Sequence, residues 1–260
     1  MPAAGGSAPR AGPGTEAGRG DIMASVETRI LAPQDAPWAA GLMAERRELY
    51  ATYSPVFWRP ARGVTGLHAR FLRHQIEAAG NVALRTGHGF IIAQARAGAG
   101  FVDDFAVDGA GTWRDDGAAL LRAAWQRLAA AGAGTVRVVT AKADRAKAEM
   151  LAALSLRVAD EWWVKPLTAT GQAPAGMSQV TGTGFSGSLG PAPAVYDPGG
   201  PVLHAETVAG DADVAVLERE AAAMGAVLAV VPAPPGSDRS QRLDRRGWDV
   251  ASQWYLGQPG

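Results

Sequence analysis

Residues 112–121 read TWRDDGAALL, and the stretch changes character at its centre. An aromatic, an arginine and two acids lead to Gly117, and small and aliphatic residues run on from there. Leu120, Leu121, Ala124, Trp125 and Leu128 recur at helical spacing, which predicts a helix over 115–132. Arg114, Gly117 and Ala119 therefore fall at a helix start, where unpaired backbone N–H groups and the positive end of the dipole suit an anion. Gly117 lets a ligand come close to the backbone, Ala119 keeps the next turn small, and Arg114 adds a cation. Asp115 and Asp116 oppose this, because acids in a first turn satisfy the dipole themselves and repel phosphate. An anion site thus requires their side chains to face solvent, and a capped surface turn is the plainer alternative.

Upstream, VETRIL (26–31) alternates like a strand, and DAPWAAGLMAERRELY (35–50) predicts a helix with Asp35 as N-cap and proline in its first turn. SPVFWRPARG (54–63) holds two prolines and reads as a loop, and TGLHARFLRHQIEAAG (65–80) as a helix capped by Thr65 with Leu67, Phe71, Leu72 and Ile76 on one face. NVALRT, GFIIAQAR and FVDDFAVD, ending at Asp108, predict an antiparallel meander. After the central helix, TVRVVTA (135–141) predicts a strand, DRAKAEMLAAL (144–154) a helix and LRVADEWWVKPL (156–167) a strand.

Residues 168–193 are rich in Gly, Ser, Thr and Pro and read as a flexible linker. Beyond it, AVYDPGGPVLHAETV (194–208) predicts a hairpin turning at DPGG, followed by a helix at 211–224, a strand AVLAVV, a short helix near 238–246 and a strand WDVASQWYL. A shift of 92 residues lays SLRVADEWWV (155–164) on GWDVASQWYL (247–256), matching Val158 with Val250, Ala159 with Ala251 and Trp162 with Trp254. The same shift lays TVRVVTA on VLAVVPA (227–233), so strand, helix and strand recur at constant spacing and point to duplication. At the shifted positions of Arg114 and Gly117 stand Glu206 and Ala209, so the motif belongs to the first copy alone.

The chain has 260 residues, 47% hydrophobic and 19% charged, enough for one large or two small globular units. Lys+Arg 25 balance Asp+Glu 25, so the diffuse basic field of a nucleic-acid binder is missing. There is no cysteine, which excludes disulfides, thiolate metal sites and a thiol nucleophile. Residues 1–23 read as a disordered tail without the apolar core of a signal peptide, and no run approaches the roughly 20 apolar residues of a membrane span. The expected organisation is a tail at 1–23, a first domain at 24–167, the linker at 168–193 and a partial second domain at 194–260. The expected setting is the cytoplasm, without nucleic-acid, membrane or metal partners and with a homodimer left open.

A strand ending FAVD, a loop, Arg-x-x-Gly-x-Ala at a helix start, then strand, helix and strand resemble the acetyl-CoA-binding core of the GCN5-related N-acetyltransferase superfamily. The order of elements over 26–167 matches that fold, and the C-terminal part resembles the latter half of a second copy. A dinucleotide-binding fold fits worse, because its glycine turn follows the first strand of the unit and here four strands precede it. The resemblance implies an α/β fold with a mixed, mostly antiparallel sheet flanked by helices, and acyl transfer from acetyl-CoA to an amine of a small molecule, amino acid or peptide. It implies that Phe105, Ala106 and Val107 pair with pantetheine and that Arg114, Asp115, Asp116, Gly117, Ala118 and Ala119 surround the pyrophosphate.

Such a reaction needs a deprotonated amine, a polarised carbonyl and a proton for the leaving thiolate. The family's carboxylate base comes from the strand before the motif, where Asp103 and Asp104 lie. Strand alternation lets only one of them face the acceptor, and Asp103 is favoured because it shares the face of Phe101. The family's general-acid tyrosine, in Tyr-x-x-x-Gly-Phe, falls on LAALSL, where Leu151 and Ser155 replace the tyrosine and the glycine. Tyr50 or Tyr53 is the expected substitute, and Tyr53, Phe57 and Trp58 are expected to line the acceptor site. A non-catalytic acyl-CoA sensor or partner-binding module is the alternative that the missing tyrosine encourages. His68 and His74, six apart, sit roughly 240° around one helix and make no metal pair. His204 is placed at a groove between the two parts or in a core, and Trp162 and Trp163 on opposite strand faces.

Overall fold

A computed structural model describes residues 26–209 and 213–258. The expected tail at 1–23 lies outside the described residues. Among the described residues eleven strands form one sheet in the order β1-β2-β3-β4-β5-β11-β6-β10-β9-β8-β7. In the first half they are β1 (Arg29–Ile30), β2 (Asn81–Arg85), β3 (Gly89–Arg96), β4 (Ala99–Val107), β5 (Thr135–Ala141) and β6 (Arg157–Pro166). The helices there are α1 (Ala36–Tyr53), α2 (Val64–Glu77), α3 (Asp116–Ala130) and α4 (Arg145–Ala153). The second half carries β7 (Ser178–Gly182), β8 (Phe185–Gly190), β9 (Val202–Val208), α5 (Val214–Ala223), β10 (Leu228–Ala233), α6 (Asp238–Arg245) and β11 (Asp249–Gly257).

The expected elements form, with three local corrections. Gly63, in a left-handed conformation, is the N-cap of α2 in place of Thr65. The expected linker at 168–193 contains β7 and β8, which pair with each other and with β9. Their glycines disguised them, because glycine is depleted in strands unless another backbone passes close by. At Gly187 one does: a Cβ there would run into the His204 carbonyl of β9. The expected hairpin at DPGG does not form. Residues 194–198 instead cross to the α1–α2 loop, where Ala61 N–H donates to the Val195 carbonyl (3.1 Å) and Asp197 N–H to the Arg59 carbonyl (2.8 Å).

The repeat is visible in the sheet centre, where the last strands of the two halves are exchanged. β11 lies between β5 and β6, and β6 lies between β11 and β10, all antiparallel. Glu161 and Gln253, equivalent under the 92-residue shift, sit opposite each other and bond at 3.0 Å. The shift does not extend to the motif. The β4–β5 and β9–β10 registers match Gly100 with Val202, so Glu206 lies on β9 and the true counterpart of α3 begins at Val214.

In the first half helices cover both faces. α3 and α4 bury Leu120, Leu121, Leu128, Met150 and Leu151 against Val102, Phe105 and Val138. α1 and α2 bury Ala36, Ala39, Met43 and Leu72 against Phe90, Ile92 and Ala106. In the second half α5 and α6 cover one face only, with Leu217, Ala221 and Leu243 packed on Leu203, Ala229 and Val231. Among the described residues it has no counterpart of α1 and α2, so the opposite face, with Val202, Leu228 and Val230, is left to loops and a cavity.

Candidate active site

The cavity, about 770 Å³, lies between the halves on the α1–α2 side of the sheet. Its walls are mostly apolar: Met43, Leu67 and Phe71 from α1 and α2, Phe57 and Trp58 from the loop that joins those helices, and Trp162, Trp254 and Val230 from the sheet. Leu67 and Phe71, expected on a core face, are 37% and 47% exposed and form part of this wall. Residues 191–196 close it from the second half. Apolar walls with a few convergent polar groups are the usual character of a small-molecule site.

Those polar groups gather at β4. β4 and β5 run parallel and pair only from Ala99 with Thr135 to Val102 with Val138, after which they diverge. At the same level the β3–β4 register slips, since Ile91 faces Phe105 and Ala93 faces Val102. Asp103 and Asp104 together oppose a single residue, a β-bulge that suspends strand alternation. Strict alternation would put the two aspartates on opposite faces; with the bulge, both line the cavity.

Asp103 presents its exposed surface to the cavity, where the surrounding protein desolvates it. That desolvation and the neighbouring Asp104 raise its pKa above the ordinary aspartate value, against the pull of Lys147, His68 and Arg47. Asp104 is buried and takes a bond from His68 Nε2 at 3.0 Å. Arg47 Nη2 lies 2.6 Å from His68 Nδ1. Arginine can only donate, so Nδ1 accepts and Nε2 carries the proton given to Asp104. The Arg47–His68–Asp104 relay spans α1, α2 and β4 and was not foreseen. Its residues lie far apart in sequence, and the one local trace of it is the adjacent Arg46 and Arg47, both buried in α1, an unusual place for charge.

A second network holds α1 to the start of α4. Arg46 pairs with Asp144 at 2.7 Å, Tyr50 donates to Asp144 at 2.9 Å, and the Tyr50 and Thr140 hydroxyls are 3.1 Å apart. Asp144 also caps α4 through Lys147 N–H. Burial raises the Tyr50 pKa far above its ordinary value, so this hydroxyl is a weak acid. Tyr53, the other expected acid, is 39% exposed and is not among the residues that line the cavity. Trp58 and Phe57 do line it, with the Trp58 indole donating to the Ala251 carbonyl at 3.2 Å.

Comparison with known proteins rests on structure alone, since no family model matches the sequence and no curated protein matches it. A Thermoplasma acidophilum protein provisionally named an acetyltransferase superposes with a TM-score of 0.58 at 8% identity, over 90% of this chain and 100% of its own. A GCN5-related N-acetyltransferase from Sphaerobacter thermophilus gives 0.51 at 14%, over 90% and 96%. A Pyrococcus horikoshii protein, likewise provisionally named an acetyltransferase, gives 0.51 at 13%, over 91% and 90%. The chain has the GCN5-related N-acetyltransferase fold. Overlaps of nine-tenths include both halves, so these structures share the two-part fold.

Within that fold, Phe105, Ala106 and Val107 lie on β4 beyond its last pair with β5, their side chains set in the cores. Arg114 and Asp115 point outward, whereas Asp116 is buried, so only one of the two acids turns to solvent as an anion site demands. Gly117 has a packing reason to be glycine: a Cβ would stand 2.7 Å from Trp113 Cε3. The buried Trp113 indole packs on Phe105 with ring centroids 4.8 Å apart. Ala118 is buried and Ala119 half-buried in the first turn of α3, which carries no side-chain cap. Its counterpart α5 is capped by Asp213, whose carboxylate accepts from Ala215 N–H at 2.8 Å. His204 lines the cavity with its ring against Trp162, and burial lowers its pKa. Trp163 turns to the second-half core on the opposite face.

Proposed function

We propose that the protein is an N-acyltransferase that takes an acetyl or related acyl group from coenzyme A in its first half and transfers it to an amine held in the cavity. The observation that carries this reading is the β4–β5 divergence at the bulged Asp103–Asp104 pair, which opens a backbone edge and a carboxylate onto one space. The free edge of β4 at Phe105–Val107 suits the amides of pantetheine, and the uncapped first turn of α3 beside Arg114 suits the pyrophosphate. The capped α5 offers no equivalent, so one donor site per chain is expected. Asp103 accepts the proton of the attacking amine; its raised pKa matches it better to that task than an ordinary aspartate. The largely apolar wall favours a small amine with a hydrophobic body.

Incubation with acetyl-CoA and a panel of amines, with free thiol measured, tests this directly: release that depends on the acceptor is expected. Arg114→Glu should weaken acetyl-CoA binding, followed by calorimetry, at least about tenfold, a difference of about 1.4 kcal/mol. The second reading, an acyl-CoA-binding module without turnover, is favoured by the buried Leu151 where the family's tyrosine would stand. Binding without thiol release from any amine would select it.

A further inference from the structure

The departing thiolate needs a proton; Tyr50, though it lines the cavity, already donates its proton to Asp144, and Tyr53 is not among the lining residues. A lysine also reaches the point where β4 and β5 part. Lys147 lies on α4, one helical turn before Leu151, and is 1% exposed. Its Nζ donates to the Val139 carbonyl at 2.8 Å, one residue beyond the last β4–β5 pair. It stands 4.9 Å from the Phe105 ring centroid and 5.3 Å from that of Trp113, and the residue lines the cavity.

We propose that Lys147 protonates the leaving thiolate in the acyl-transfer reaction, an inference that rests on the function proposed above. The acceptor nitrogen attacks the thioester carbonyl carbon, the C–N bond forms and the C–S bond breaks. The nitrogen's proton passes to the Asp103 carboxylate, and the Lys147 ammonium gives its proton to sulfur, releasing free thiol. Return of the proton from Asp103 to Lys147 resets both groups.

The second half supplies the comparison that separates this role from packing. Arg239, 92 positions on, occupies the same place on α6 and reaches the β9–β10 divergence. It bonds Val208 O of β9 at 2.6 Å and Pro232 O of β10 at 3.1 Å, closing that gap from both strands. A staple is well served by arginine, which keeps its proton. The first half instead has a group that can lose one, bonded to one strand only and opening on the cavity. Four charged groups face it: Arg46 from α1, Asp144 at the start of α4, and Asp103 and Asp104 from β4. Burial and Arg46 push the Lys147 pKa well below its ordinary value, and the three carboxylates oppose that shift. A lysine so lowered gives up its proton readily, and kcat should fall as pH rises through its pKa.

The test compares Lys147→Arg, Lys147→Met and Arg239→Met in the full chain. Arg239 itself demonstrates that a guanidinium fits the equivalent space, so Lys147→Arg is expected to stay folded and to bind acetyl-CoA within about threefold of the native affinity. Its kcat should drop at least about 100-fold, and the alkaline limb of the pH profile should vanish from the residual rate. Lys147→Met should lose kcat likewise, and Arg239→Met should lower Tm while keeping kcat. Lys147→Arg with more than a tenth of native kcat and an unchanged alkaline limb would overturn the assignment. So would an equal kcat loss in Arg239→Met, or mass spectrometry finding the acyl group on Lys147 itself. A wild-type protein that binds acetyl-CoA but releases thiol with no amine would overturn the acyl-transfer reading, and this role with it.

Discussion

The indoles of Trp162 and Trp254, equivalent residues of the two repeats, meet with ring centroids 5.5 Å apart and an interplanar angle of 47°. They sit on the adjacent strands β6 and β11 beside the Glu161–Gln253 bond, so the local twofold axis of the duplication passes through this point. The pair also forms part of the cavity wall. Each tryptophan should therefore depend on the other, and a double-mutant cycle of Trp162→Ala and Trp254→Ala by chemical denaturation should give a coupling of about 0.5–1.5 kcal/mol.

Strand exchange makes each half incomplete. A fragment spanning 24–167 loses β11, leaving both β5 and β6 without their shared partner. It should fail to give a cooperative unfolding transition and should aggregate on size-exclusion chromatography, because unpaired central strand edges are templates for association. Adding a separate 168–260 peptide should restore the transition.

Asp144 accepts from Arg46, Tyr50 and the Lys147 amide, and the Arg46 and Asp144 side chains are only 8% and 7% exposed. Asp144→Ala strands a buried guanidinium and removes the α4 cap. The loss should be about 3–5 kcal/mol, measured as a fall in the urea midpoint.

In a helix interior Gly→Ala adds about 1 kcal/mol of propensity, and Gly117, in the first turn of α3, gains at most that. Here the added methyl meets the rigid, buried Trp113 ring, and overpacking costs about 1–3 kcal/mol. The net effect should be destabilising, read as a lower Tm, even though alanine is the better helix former.

Asp103 works as a base only when ionised, and its pKa is raised by desolvation at the cavity wall and by Asp104. The acid limb of kcat/KM should therefore lie above the ordinary aspartate range, and Asp103→Asn should lower kcat about 10²–10⁴-fold. The same shift has the opposite sign for stability. A carboxyl whose folded pKa is raised supports folding below its unfolded pKa, and that support is lost as pH rises through the folded value. Asp103→Asn should thus be at least as stable as the native protein at neutral pH, separating lost activity from lost structure.

Local chemistry made much of the fold legible. Helical spacing locates α3 and α4, β-branched alternation locates β5, and the 92-residue shift identifies the duplication without any contact. The hairpin at 178–190 was hidden because its glycines answer to close passage of a neighbouring strand, which composition does not record. The expected hairpin at DPGG failed because those residues find partners near Arg59 and Ala61, more than 130 positions away.

By itself the sequence determined the order of elements over 26–167, the repeat, and the placing of Asp103, Asp104 and the glycine motif on either side of one loop. Only the tertiary structure decided that both aspartates share a face, that the two halves exchange their last strands, and that Arg47, His68 and Lys147 converge on the cavity. The reason is physical. Spacing along the chain controls which face of an isolated helix or strand a side chain takes, whereas a bulge, a strand exchange and a buried proton relay each depend on partners that packing brings from distant segments.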